Sequence, residues 1–504
     1  MKCNCKIPKP FDIRKIPMDC KSAYDLISIP LNKGIFQVDS KLGREWGSRL
    51  KPKKLEDISD LISIVRPGCL ATGISERYLQ YRDSGEEPEY LHETLKPILA
   101  STNGQMIYQE QMMKICWKFA GLDLETADNI RKACGHKIRK LMAKQKNKFS
   151  KGCKKTKRPE YAATKVWEEI EKSADYSFAK AHAICYSITA YRTAFLKAHF
   201  TIDFFTELLK CSKWDGDQQS EIAEIISDCW RFGISVLPPR LSDLSAEFQI
   251  IDDKTIHFGS QYVKRIGAKK AKKFQEFKKK NSLAKSFSSL LDLCSKDAFQ
   301  AFIKIGMFDE YTKNRDMLLF AANSLAELKS DEVKALVKAA DKGMRIKEAI
   351  DEVRKHVVKK GARSKRRLTK IDEVIKNVND SFSIQTPKGK IASYEIEMLG
   401  AALSDTSKEF YKAKEGSHKC SDLMLEQDGV EGEVFATVRD FRPYTTRRGK
   451  QMGFLDIVDD TGMQRDVAVF PKNYFDWKPM LYKGASRLFS FKVMNYGISI
   501  AGIK

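Results

Sequence analysis

The chain has 504 residues, 42% of them hydrophobic, and its Lys and Arg outnumber Asp and Glu by 90 to 66, a formal charge of +24. That length exceeds one ordinary domain and suggests about three, and the charge favours a polyanionic partner, nucleic acid first, over a merely soluble basic surface. No stretch approaches the roughly 20 uninterrupted apolar residues of a membrane span, and "MKCNCKIPKPFDIRK" lacks the apolar run of a signal peptide, so an intracellular chain without a membrane partner is expected.

Its 12 cysteines are scattered, and Cys116, Cys185 and Cys229 sit in apolar helical contexts where a thiol acts as a small hydrophobe, consistent with a reducing compartment. Cys3, Cys5 and Cys20 have ligand chemistry, but the second ligand pair that zinc spacings need is missing from the local sequence, so no metal is assigned there.

From Leu31 to about Gln218 the pattern is mainly helical, broken by "RPG" at 66–68 and by the polar connection "YRDSGEEPEY". "IYQEQMMKICWKFAG" predicts a helix ended by Gly121, and "DLETADNIRKACG" predicts a second with Asp123 as N-cap and Gly135 at its end. From His136 to Arg158 runs "HKIRKLMAKQKNKFSKGCKKTKR", which holds no acid. It reads as a solvated helix-loop face, or as a face over which a polyanion lies. "AKAHAICYSITAYRTAFLKAHF", from Ala179 to Phe200, predicts a helix free of Gly and Pro. Its His182, Tyr186, Thr189 and Thr193 fall at i, i+4, i+7 and i+11, one polar strip on an apolar rod. With Lys180 and Arg192 nearby, a nucleotide-binding face competes with a satisfied core helix.

The paired prolines 238 and 239 stop any helix, and a short strand-like piece leads into "YVKRIGAKKAKKF". There Gly267 opens a helix with lysines just beyond it, so backbone amides and the positive helix end are placed to receive a phosphate. This resembles a helix-hairpin-helix, a clamp on the DNA backbone, with Arg265 where the first hairpin glycine usually stands; a plain amphipathic helix start is the alternative. Lys264, Gly267, Lys269 and Lys270 are the DNA-contacting candidates. A charged helical region follows, in which "KHVVKKGARSKRR" reads as a linker.

From Val430 the period changes to two. "GEVFATVRD", "QMGFLDIVD", "QRDVAVF", "RLFSFKVM" and "GISIAG" predict five strands with turns at "TTRRGK" and "DDTG", and helical "PKNYFDWKPML" falls between the third and fourth. That is the pattern of an OB-fold barrel, a frequent binder of single strands, or of some other small barrel. Arg447 and Arg448 in its first turn are further DNA candidates. The expected fold class is therefore multidomain and mainly α, with a C-terminal five-stranded OB-fold barrel. The expected divisions are an N-terminal segment 1–30, then 31–235, 236–330, 331–425 and the barrel 426–504.

No phosphate-cradling GxxxxGK, HExxH or GxSxG signature is present. Six blocks in order, however, carry a resemblance: "GIFQVDSKLGREWGSRLKPKKLEDISDLISIVRPGCL", "MIYQEQMMKICWKFAGLDLETADNIRKACGHK", "FAKAHAICYSITAYRTAFLKAHF", "WRFGISVLPPRLSDLSAEF", "FIKIGMFDEY" and the barrel-like tail. Together they resemble the C-terminal portion of the bacterial C-family replicative DNA polymerases. The resemblance implies a fingers domain over 31–235 and a nucleotide pocket lined by Arg66, Tyr108, Lys180 and His182, with Arg131, Lys132 and Lys137 facing phosphate. Arg66 and Lys180 would neutralise triphosphate oxygens, and Tyr108 would stack on, or sterically check, the base and sugar. Here the family's "RPGP" and "KSH" stand as "RPGC" and "KAH", which keeps the basic groups.

In the resembled family the three magnesium-holding aspartates lie in a palm upstream of the "GIFQ" block, and no substitute is evident. Asp215 and Asp217 sit in a polar connection, and Asp459 and Asp460 in a β-turn. The expectation is thus half of a split polymerase with no catalytic or metal residue of its own. It would bind dNTPs and template-primer DNA and be completed by a palm-bearing chain carrying two Mg2+ ions. The first thirty residues would hold the seam with that partner. A phage or other mobile element in a bacterial cell would suit such a split gene. A sliding clamp is an expected partner, although "NDSFSIQTPKGK" matches its usual peptide poorly and no residues are assigned. The competing readings are a DNA-binding accessory protein without polymerisation and an eroded gene fragment.

Overall fold

The computed structural model describes residues 5, 7–136, 139–173, 177–212, 217–277, 279–359, 365–412, 418–423, 426–494 and 497–504. The chain divides into two compact units, Met1–Thr201 and Ile202–Lys504. Within the first, the helix Lys180–His199 packs on Leu55–Ile64 and on Lys21–Ile27. Ala183, Ala190, Tyr191, Ala194 and Phe195 form its buried side, and His182 and Thr189 lie on its exposed side. The small residues let neighbouring backbones approach, so the rod is held by close packing rather than by a wide apolar stripe.

A second core in this unit gathers Gln109–Lys118, Leu124–His136, Arg139–Lys155 and Glu160–Ser173 around Phe119, Phe149 and Trp167. Asp123 caps the second of these helices, its carboxylate accepting from Thr126 N at 2.7 Å. The acid-free run is helical from Arg139 to Lys155, with Phe149 and Cys153 turned into the core. Gly152 permits that approach, because a Cβ there would stand 2.3 Å from the Ala120 carbonyl oxygen.

The second unit opens in helix Thr201–Lys210 and continues with helix Gln218–Arg231 and the strands Ser235–Leu237, Gln249–Asp252 and Thr255–His257, which form a small mixed sheet. Helices from Ala268–Gln275 to Lys388–Leu399 then surround one large core, and Tyr411 of Asp405–Lys412 joins a smaller one with Ala392 and Ile396. In the stretch expected to be a linker, 355–359 and 365–367 are helical instead and Val357 is a core residue, while 360–364 lie outside the described residues. Charge at the exposed positions hid an apolar stripe at helical spacing. Arg315, 1% exposed, is held among Asp309 and Glu395 carboxylates at 2.7 Å each and the Lys304 carbonyl.

The C-terminal strands close into a barrel in the order first, second, third, fifth, fourth. The third and fifth run parallel and the other pairs antiparallel, as an OB-fold requires. The long first strand, Glu431–Thr445, pairs with Ser486–Met494 through its first half and with Gln451–Val458 through its second. Helix Pro471–Trp477 falls between the third and fourth strands, as the periodicity predicts. A bulge between Val438 and Asp440 leaves Arg439 outside the ladder, where it reaches Asp217 and Ser220 of the same unit at 3.1 and 2.9 Å.

The two compact units divide at 201/202. Helix Gln218–Arg231, which the sequence reading grouped with the preceding helices, instead packs on Ser235–Leu237 and on the third barrel strand. Nor do the first thirty residues stand apart, since Lys21–Ile27 is buried against Lys180–His199.

Candidate nucleotide and DNA sites

The nucleotide candidates of the first unit meet around Phe178. A parallel bridge joins Tyr108 to Phe178, with Gln109 N donating to the Phe178 carbonyl and Phe178 N to that of Ile107, both at 2.9 Å. The Arg66 guanidinium lies over the Phe178 ring at 4.2 Å, and the His182 ring meets the other end of the group at 5.2 Å. The Lys180 ammonium lies 5.4 Å from the Tyr108 ring centre. Three of the sequence-named residues, Arg66, Lys180 and His182, therefore share one neighbourhood. Among the described residues no carboxylate pairs with the side chain of Arg66 or of Lys180. Phe178, which the sequence reading did not single out, orients two of them; its place in "SFAKAH" was the only signal.

His182 stacks on Tyr186 at 4.1 Å, and Tyr186 on Phe36 at 5.1 Å, so part of the polar strip is an aromatic ladder. Thr193 accepts from Phe36 N at 3.0 Å. The N-terminus of helix Lys180–His199 already carries an anion, because the Glu110 carboxylate accepts from Lys180 N at 2.8 Å. A phosphate here meets side-chain cations and not the helix end.

Tyr108 differs from its expected role. It is 1% exposed, and its hydroxyl donates to Asp60 at 2.6 Å and contacts Ser59 at 2.9 Å, so neither face is open for stacking on a base. Tyr78 donates to the other Asp60 oxygen at 2.6 Å. Burial pushes the Asp60 carboxyl up to about 6, against the opposing pull of the two phenols. Arg131 and Lys132 are also less available than expected: both pair with Asp128 at 2.8 Å, and Arg131 reaches Gln109 at 3.3 Å. Lys137 lies outside the described residues. A cleft of about 630 Å³ in this unit is lined by Arg77, Glu89, Tyr90, Lys165 and Lys172 and includes none of the predicted nucleotide residues.

In the second unit the hairpin expectation meets a definite backbone. Gly267 (φ +59°) precedes helix Ala268–Gln275, whose Ala271 and Phe274 are buried while Lys264, Lys269 and Lys270 are exposed. Arg265 adopts φ +75°, the left-handed conformation that a hairpin glycine would supply. The usual turn is thus kept at the cost of some strain, and the arginine adds a further exposed cation. Arg447 and Arg448 lie exposed at the tip of the first barrel hairpin, next to Tyr444, which is 48% exposed. Basic and aromatic groups together suit a single strand.

Among the described residues, the carboxylates weighed as magnesium ligands already have partners. Asp60 is tied to two phenols. Burial alone would raise Asp456, but the Arg442 guanidinium, bonded to both its oxygens at 2.7 and 2.8 Å, holds it below the usual carboxylate range. Asp459 accepts from Cys420 N and Thr461 N, and Asp217 is taken by Ser220 and Arg439; Asp215 lies outside the described residues.

The bacterial DNA polymerase III alpha subunit finger domain family matches residues 3–157, and a helix-hairpin-helix motif family matches 233–318. The DNA polymerase III subunit alpha of Aquifex aeolicus (strain VF5) is 30% identical over 474 residues, 93% of this chain and 37% of that protein. That of Escherichia coli (strain K12) is 31% identical over 331 residues, 63% of this chain and 28% of its own length. The Haemophilus influenzae protein (strain ATCC 51907 / DSM 11121 / KW20 / Rd) is 28% identical over 489 residues, 94% and 40% respectively. The chain thus spans well under half the length of these relatives. The finger-domain match ends before Lys180 and His182, although the compact unit that contains it continues to Thr201.

Proposed function

The chain belongs to the DNA polymerase III alpha subunit family, of which it is a C-terminal portion, and from that premise we propose that it binds an incoming dNTP and template-primer DNA for replicative synthesis. The observation that carries this reading is the convergence of Arg66, Lys180 and His182 around Phe178. Arg66, its plane set by the ring beneath it, offers two parallel N–H groups to a phosphate. Lys180 contributes a point charge beside it, and the exposed His182 edge a hydrogen bond. Tyr108 does not stack on the base but acts as a support, its buried ring carrying Lys180 above it.

The hairpin lysines and the Arg447–Arg448 turn would hold duplex backbone and single strand through charge, with affinity that falls steeply with salt. The carboxylates for two Mg2+ ions are assigned to palm sequence outside these 504 residues.

Protection from proteolysis tests the nucleotide reading. With template-primer and a dNTP, cleavage within residues 100–200 should slow for the parent chain and not for Arg66→Ala or Lys180→Ala. Salt-sensitive DNA binding with no such nucleotide effect would instead favour a DNA-binding accessory role.

A further inference from the structure

We propose that Cys5, Cys20 and His199 form a zinc-class metal site that fastens the N-terminal segment to the end of helix Lys180–His199. The ligand atoms of these three residues all lie within 4.8 Å of one another, and among the described residues this is the one group of three candidate metal-ligating side chains. Cys20 Sγ and His199 Nε2 are 3.3 Å apart. A tetrahedral zinc with bonds of about 2.3 Å to sulfur and about 2.0–2.1 Å to nitrogen sets its ligand atoms about 3.6–3.8 Å apart, so the three atoms need only small shifts. Two thiolates and an imidazole are a soft to borderline donor set, suited to zinc and poorly suited to magnesium or calcium.

The surroundings are those of a structural site. Cys20 has no exposed surface; Tyr191 Oη accepts from Cys20 N at 2.8 Å and donates to the Pro17 carbonyl at 2.7 Å. The Phe195 ring covers the His199 ring at 4.3 Å, and Phe11 packs on Phe200 at 4.9 Å. Local spacing could not reveal the set, because the histidine that completes it stands 179 residues after Cys20. Cys3, two positions before Cys5, lies outside the described residues. Binding displaces two thiol protons as the cysteines become thiolates, and no redox step is involved.

The test uses the full chain, reduced and stripped with chelator, then titrated with Zn2+ and, separately, with Co2+. The expected result is one zinc per chain by elemental analysis and thiolate-to-cobalt charge-transfer absorption. Both should weaken in Cys5→Ser and in His199→Ala by more than the roughly 10–100-fold that loss of a supporting hydrogen bond costs. Cys5 is half-buried, so Cys5→Ser should keep the parental circular dichroism and separates metal loss from misfolding. Zinc should also slow proteolysis within residues 5–20. Three results would overturn the site: no stoichiometric metal in the reduced parent, unchanged affinity in both variants, or a Cys5–Cys20 disulfide that re-forms in the presence of zinc.

Discussion

The Tyr108 hydroxyl donates to Asp60 Oδ1 at 2.6 Å across 48 residues of sequence, and Tyr108 in turn bridges to Phe178, whose ring lies under the Arg66 guanidinium. Burial makes Asp60 a titrating group inside the first unit. Because its folded pKa, about 6, lies above the ordinary carboxylate value, the folded state holds more protons than the unfolded state between about pH 4 and pH 6. Its contribution is fully present below about pH 4 and is lost as pH rises through 6, a change on the order of 2–3 kcal/mol. Urea unfolding of the first unit, followed by hydrogen exchange, should show this fall, and Asp60→Asn should flatten it. An unchanged pH dependence in the variant would show that Asp60 does not titrate there.

Arg66→Ala and Lys180→Ala should each weaken dNTP binding by about 10–100-fold, the worth of a charge-assisted hydrogen bond. Arg131→Ala should do much less, since Asp128 already compensates its charge. Equilibrium binding of a labelled dNTP with template-primer measures all three. Equal losses from Arg131 and Arg66 would misplace the phosphate.

At the hairpin, Arg265→Gly should stabilise the second unit by up to about 1 kcal/mol, because glycine adopts φ +75° without strain. Replacing Lys264, Lys269 and Lys270 together by Gln should lower the slope of log affinity for duplex DNA against log salt by about 2–3. A parental slope in the triple variant would place DNA elsewhere.

Arg315→Met leaves the Asp309 and Glu395 carboxylates without their shared cation and should cost about 3–5 kcal/mol. Asp309, which burial already pushes up, should then take up a proton more readily. Thermal unfolding of the variant against Glu395→Gln measures this; a shift of less than a degree would remove the triad from the account.

The barrel and the hairpin were legible because their signals are local: period-two strands, a helix between strands three and four, and Gly267 opening a lysine-bearing helix. What was not legible depends on pairs distant in sequence. Nothing near Tyr108 announces Asp60, nothing near Cys20 announces His199, and the bulge at Arg439 follows from barrel closure rather than from residue type. Asp128 was visible in sequence, but its choice of both Arg131 and Lys132 was not. The stretch read as a linker failed for another reason: the charges around Val357 masked a core residue on a helix.

The central claim is that the cations around Phe178 hold the triphosphate while the magnesium-holding acids come from palm sequence. Primer extension with the 504-residue chain, alone and mixed with a palm-bearing polypeptide in Mg2+, tests it most directly. The account predicts no synthesis by the chain alone, extension by the mixture, and at least about 100-fold slower extension when Arg66 and Lys180 are both alanine. Synthesis by the isolated chain, or parental rates from the double variant, would contradict it.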